Sequence, residues 1–178
     1  MMTNPSAADV PLGPSAVPML GAGMTSVDRF AILYLAFPVA AFFILWFSAV
    51  YGVIFGLAAL AGLVPLWSAP AARPPRRTLA AAVVAALLWS SLSGAGHFFD
   101  AGTALNWPIR DAVLRDLVLL HQPVSYGLQD GVATILRAPI AYYMVPAMLA
   151  RLAGVHWASV LLYLWTALGV LLFLLQVM

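Results

Sequence analysis

The 178-residue chain contains no cysteine; all eight of its basic residues are arginine and all six of its acidic residues aspartate, so lysine and glutamate are missing too. Without thiols there is no disulfide, no thiol nucleophile and no cysteine-ligated metal cluster. Charge of either sign is scarce, at 8% of residues against about a quarter in an ordinary soluble domain. A net charge of +2 carried by scattered arginines excludes a nucleic-acid-binding surface. His97, His121 and His156 all fall at the edges of apolar runs, which argues against a haem or chlorophyll ligated inside a helical bundle. What is abundant is apolar side chain, 64% of residues with a mean hydropathy of +1.00. This composition predicts an all-α integral membrane protein.

A bilayer crossing takes about 20 residues, and the apolar runs supply five candidates, near residues 30–47, 50–67, 79–95, 135–152 and 157–178. Residues 1–28 are rich in Pro, Ser, Gly and Ala and lack the basic start and apolar run of a secretory signal. They read as a disordered cytoplasmic tail. Between the second and third runs, SAPAARPPRRT carries prolines together with Arg73, Arg76 and Arg77, a composition that makes a loop and not a span. Short arginine-rich loops prefer the cytoplasm. That rule places this loop, Arg29 and Arg151 inside, and leaves residues 96–134 as an outer loop of a bacterial inner-membrane protein.

The ionisable residues gather in this outer loop. NWPIRDAVLRDLVLLHQP, residues 106–123, holds Arg110, Asp111, Arg115, Asp116 and His121. Asn106 suits a helix cap and Pro108 a first turn, so a helix over residues 108–121 is expected. At 100° per residue Ile109, Val113, Leu117 and Leu120 share one side, and Asp111 and Arg115 share another at i,i+4 spacing. The pattern predicts an amphipathic helix lying on the membrane surface. Asp116 falls on its apolar side, where a carboxylate is costly unless it is paired or used. The plain alternative is that Asp111 and Arg115 form a solvated pair and that Asp116 caps a neighbouring backbone or pairs with Arg110 or Arg137. His97 and Asp100 have H-x-x-D spacing, a weak two-ligand metal signal. No metal site is assigned from it.

NWPIRDAVLRDL, then QPVSYGLQDG, LRAPIAYYMVPAMLARLAG and LLYLWTALGVLLFL, resemble in order and spacing the large bacterial membrane proteins of the C-type glycosyltransferase kind. The resemblance covers residues 93–175, with Trp107, Ala112, Leu114, Asp116 and Leu117 matching first, then Pro123, Val124 and Tyr126, then Tyr142, Tyr143, Pro146 and Ala147, and finally Trp165 and Gly169. It departs at Asn106, where an acid is expected, at Arg110 and Asp111, and at Arg151, which ends a shortened motif. The resemblance implies a polyprenyl-phosphate sugar as donor at the outer face, with an acidic residue of the first outer loop as general base. Asp116, Asp111 and Asp100 are the candidates for that base. A departing lipid phosphate needs cations, and arginine matches it geometrically. Arg110, Arg115 and Arg137 are the candidates, with Trp107 and Tyr142 as further substrate contacts. The cofactor is left open, a divalent cation included.

The chain has about half the spans of such transferases. It therefore reads as the front part of one, or else as a non-catalytic subunit packed, through Tyr142, Tyr143 and its Gly- and Ala-rich faces, against other membrane subunits.

Overall fold

The computed structural model describes residues 25–47, 49–63, 73–97, 107–129, 132–136 and 140–178. These residues are mostly helical: α1 (Ser26–Trp46), α2 (Ala49–Ala61), α3 (Arg76–Leu92), α4 (Trp107–Leu119), α5 (Ala141–Ala153) and α6 (Ala158–Val177), with 3-10 turns at Ala95–His97 and Val155–Trp157. The chain is not all-α. Strands β1 (Ser125–Gln129) and β2 (Val132–Ile135) pair antiparallel within the expected outer loop. Among the described residues two helical stretches, Ser26–Trp46 and Val155–Val177, are long and apolar enough to cross a membrane.

Local chemistry explains where the elements begin. α1 starts at Ser26, inside the expected tail, because Thr25 and Asp28 cap it reciprocally: the Asp28 amide donates to the Thr25 hydroxyl (3.2 Å) and the Thr25 amide to the Asp28 carboxylate (2.7 Å). α1 and α2 form a close hairpin through small residues. A Cβ on Gly52 would come within 2.6 Å of the Phe43 carbonyl oxygen, so only glycine lets the two backbones meet there.

α6 is the axis on which the other helices are ordered. Tyr163 bridges it to α3, donating to the Leu87 carbonyl (3.1 Å) and sharing a hydrogen bond with Ser91 (3.0 Å), while Gly96 lies against Ser159. Gly96 pairs with an early α6 residue, whereas Ala85 shares a groove with Phe173 and Leu174, so α3 and α6 are antiparallel. Tyr34 of α1 stacks on Trp165 with ring centroids 4.1 Å apart and donates to its carbonyl (3.2 Å). Ala41, further along α1, reaches the cluster containing Ala158 and Leu162. The ends of α1 and α3 and the start of α6 thus share one end of the bundle. Thr25, Arg76 and Met178 share the other.

α5 departs from the expected span over residues 135–152. Ile135 ends a strand and the helix begins only at Ala141. Its first turn is tied to the middle of α6 by a hydrogen bond between Tyr142 and Thr166, and Gly154 then turns the chain directly into α6. At about 1.5 Å per residue its 13 residues extend about 20 Å, short of the roughly 30 Å of a hydrocarbon core. α5 therefore ends, with Arg151, at the end of the bundle where α6 starts. Arg76 and Arg77 lie at the opposite end. This corrects the placement of Arg151 beside the Arg73–Arg77 loop: the positive-inside rule counts arginines in loops, and this one belongs to a helix terminus.

Candidate functional site

α4 is built on α5. Val113, Leu114, Leu117 and Val118 are buried against Ile140, Tyr143, Met144 and Ala147, together with Leu162 of α6 and Val124 of the following loop. Leu117 and Met144 are fully enclosed. The buried side is rotated away from the expected Ile109–Val113–Leu117–Leu120 stripe, leaving Ile109 66% exposed and Leu120 38% exposed. The physical reason is the partner. Most of this helix is apolar, so periodicity admits several faces, and docking on α5 selects one. α4 is a packed helix of the bundle, not one lying free on a surface.

Arg151 locks the carbonyl end of α4. Its Nε donates to the Leu117 carbonyl (3.0 Å) and its guanidinium also donates to the Leu120 carbonyl. Gln122 adds a 3.3 Å bond to the Leu117 carbonyl. A cation there satisfies acceptors that lack intrahelical partners and meets the negative end of the helix dipole.

With α4 fixed, an open groove of about 690 Å³ lies between it and the beginning of α6. Asp111, Arg115 and Asp116 supply its polar wall from α4, Leu119 and Leu120 its apolar wall, and Val155, Ala158 and Ser159 the opposite side. Three of the expected site residues therefore converge. Arg110 does not line the groove: its charge acts on Tyr142 and Tyr143 of α5. Tyr142 is likewise engaged with Thr166 between α5 and α6. Trp107 opens α4, but its side chain, like Asp100 and Arg137, lies outside the described residues.

Asp116 is half-buried and accepts a 2.6 Å hydrogen bond from the Tyr126 hydroxyl on β1. The carboxylate beside it raises the Tyr126 hydroxyl to about 12, chiefly through this bond, with desolvation and the negative charge adding to it. Tyr126 was visible in the sequence only as a match to the QPVSY segment. Arg151 was visible as an inside charge after the fourth apolar run and as the end of a shortened motif. Among the described residues no three His or Asp side chains converge to hold a metal ion.

With two carboxylates and one guanidinium, the groove suits hydroxyl groups, which a carboxylate can deprotonate or orient, next to a single anionic group held by arginine. Leu119, Leu120 and Val155 give that polar centre an apolar border. No protein-family model, curated protein or solved structure matches this chain.

Proposed function

We propose that this chain is a bacterial inner-membrane protein of the C-type glycosyltransferase kind, or the front part of one, and that the groove between α4 and α6 receives the headgroup of a polyprenyl-phosphate sugar. The observation that carries the proposal is the convergence of Asp111, Arg115 and Asp116 on one groove with an apolar wall. Asp116 is the carboxylate for the acceptor hydroxyl and Arg115 the cation for the phosphate. The outward faces of the helices support a membrane setting. Phe30, Leu35 and Phe37 on α1, Leu88 and Trp89 on α3 and Leu164 and Phe173 on α6 are all exposed, an apolar belt that water would penalise and acyl chains accept.

A photoactivatable polyprenyl-phosphate analogue tests this reading. Crosslinks should map to Trp107–Leu120 and Val155–Ser159 and be competed by unlabelled polyprenyl phosphate. Labelling confined to the outer faces of α3 and α6 would reject the site. If transfer is reconstituted, Asp116→Asn should abolish it without loss of expression, and undiminished turnover would remove Asp116 from the role of base.

A second reading, an accessory subunit, is favoured by one observation. α3 and α6 frame a nearly wholly apolar groove of about 440 Å³ lined by Ala85, Trp89, Gly169, Val170, Phe173 and Leu174, an apolar face of the kind a partner helix covers. Purification of the active chain as a monomer would argue against it.

A further inference from the structure

The β-hairpin sits unusually free of the rest of the molecule. Its strands pair with each other, and among the described residues no helix packs along either one. Tyr126, Leu128, Val132 and Ile135 are all exposed, Leu128 by 74%. A lone two-stranded hairpin is marginal in water, so its position depends on its attachments. At its base the Leu136 amide donates to the Val124 carbonyl (3.0 Å), and Val124 is buried with α4 and α5. Beyond that base, a side-chain hydrogen bond from Tyr126 to Asp116 joins β1 to α4. The register slips between Ser125 and Gly127, so Tyr126 occupies the irregular position of β1. Such irregularities redirect a side chain out of the ladder.

We propose that the hairpin is a strap latched to the groove by the Tyr126–Asp116 hydrogen bond, and that Asp116 becomes fully available to the groove only when the strap lifts. This deepens the groove reading given above by assigning the regulation of its carboxylate. In the latched arrangement Oδ2 of Asp116 is already occupied by a phenol, and a carboxylate oxygen that accepts one short hydrogen bond is less able to accept a proton from a second hydroxyl. Tyr126 is a positioning residue: it acts through Asp116 and is not placed among the groove's lining residues.

Two measurements on the full chain in lipid nanodiscs test the latch, and neither requires a lipid-linked sugar. In hydrogen–deuterium exchange, Tyr126→Phe and Asp116→Asn should each accelerate exchange over residues 125–135 by about tenfold, the loss expected for a hydrogen bond to a charged group, while α4 exchanges as before. In carbodiimide labelling with an amine nucleophile, Asp116 should react several-fold faster in Tyr126→Phe than in the unsubstituted chain, with Asp111 as internal reference. Unchanged hairpin exchange in both variants, or unchanged Asp116 labelling, would overturn the latch. Faster exchange in α4 as well would also overturn it, because the bond would then be supporting the helix and not holding a strap. Since no groove ligand is added, failure here leaves the lipid-phosphate reading untouched, and failure of the crosslinking leaves the latch untouched.

Discussion

Arg151 of α5 donates from Nε to the Leu117 carbonyl of α4 at 3.0 Å, so a cation at the end of one helix closes the end of another. The second donation, to Leu120, engages the same guanidinium at two carbonyls. Because α4 carries all three charged residues of the groove, this one side chain fixes the frame in which Asp111, Arg115 and Asp116 stand.

Arg151→Ala should therefore destabilise the α4–α5 unit by about 1–3 kcal/mol, combining lost charge-assisted hydrogen bonds with lost dipole compensation. Arg151→Lys should recover only part of this, since an ammonium lacks the planar fork that reaches two carbonyls together. Unfolding in mixed micelles, followed by tryptophan fluorescence, measures both variants. A lysine variant as stable as the unsubstituted chain would show that the fork contributes nothing.

Gly96 and Gly127 both have positive φ, +68° and +80°, yet they predict different costs. A Cβ at Gly96 would collide with the Ser159 carbonyl and lie 2.8 Å from Tyr163 Cβ, whereas nothing lies within 4 Å of one at Gly127. Gly127→Ala should lose only the left-handed backbone cost of about 1–2 kcal/mol, confined to the hairpin. Gly96→Ala adds a backbone collision and should part α3 from α6, costing clearly more. Thermal unfolding of the two variants side by side decides whether the Gly96 contact matters beyond its dihedral angle.

The bounds expected for α1, α3, α4 and α6 lie within four residues of the observed ones, because long apolar runs, the Arg-Pro loop and the Asn-Trp-Pro start are strong signals, whereas α2 ends at Ala61 and α5 begins at Ala141, each six residues from its expected bound. It was weaker wherever a partner decides. The buried side of α4 depends on where α5 lies, and in a helix with apolar residues on several sides periodicity alone cannot choose among them. The hairpin escaped because QPVSYGLQ and VATIL are short segments with mixed alternation, easily absorbed into a loop or the start of an apolar span. Asp111, Arg115 and Asp116 were recognisable as a set because ionisable side chains are so rare in this chain. That Arg151 and Tyr126 support them was not, since both contacts join residues whose proximity only the fold creates.

The Tyr126 hydroxyl predicts a pH signature. Its proton is held to about 12 in the folded chain against an ordinary 10.0. Whatever the Tyr126–Asp116 bond contributes is thus complete below pH 10 and disappears as the pH climbs through 12, when tyrosinate and carboxylate repel. With Cζ-labelled tyrosine, the NMR signal lost in Tyr126→Phe should titrate near 12 in the unsubstituted chain and move down towards 10 in Asp116→Asn. An identical midpoint in the two proteins would mean that the carboxylate does not hold the phenol.

The helix directions make the last prediction, which concerns sidedness. Antiparallel α3 and α6 place Gln176 at the Arg76 end of the bundle, while Ser125, through its neighbour Tyr126 and through Asp116, belongs to the groove end. Five full crossings in alternation would instead put Arg76 and Gln176 on opposite sides, because span four would cross outright; a short α5 that begins beside Thr166 and returns to the groove end does not reverse the chain. The absence of cysteine makes the experiment clean, since any introduced thiol is the only one present. Ser125→Cys in intact spheroplasts should react with a membrane-impermeant maleimide, and Gln176→Cys should react only after permeabilisation. Labelling of both positions in intact spheroplasts would mean that α5 crosses the bilayer completely and that its pairing with α6 does not persist in the membrane.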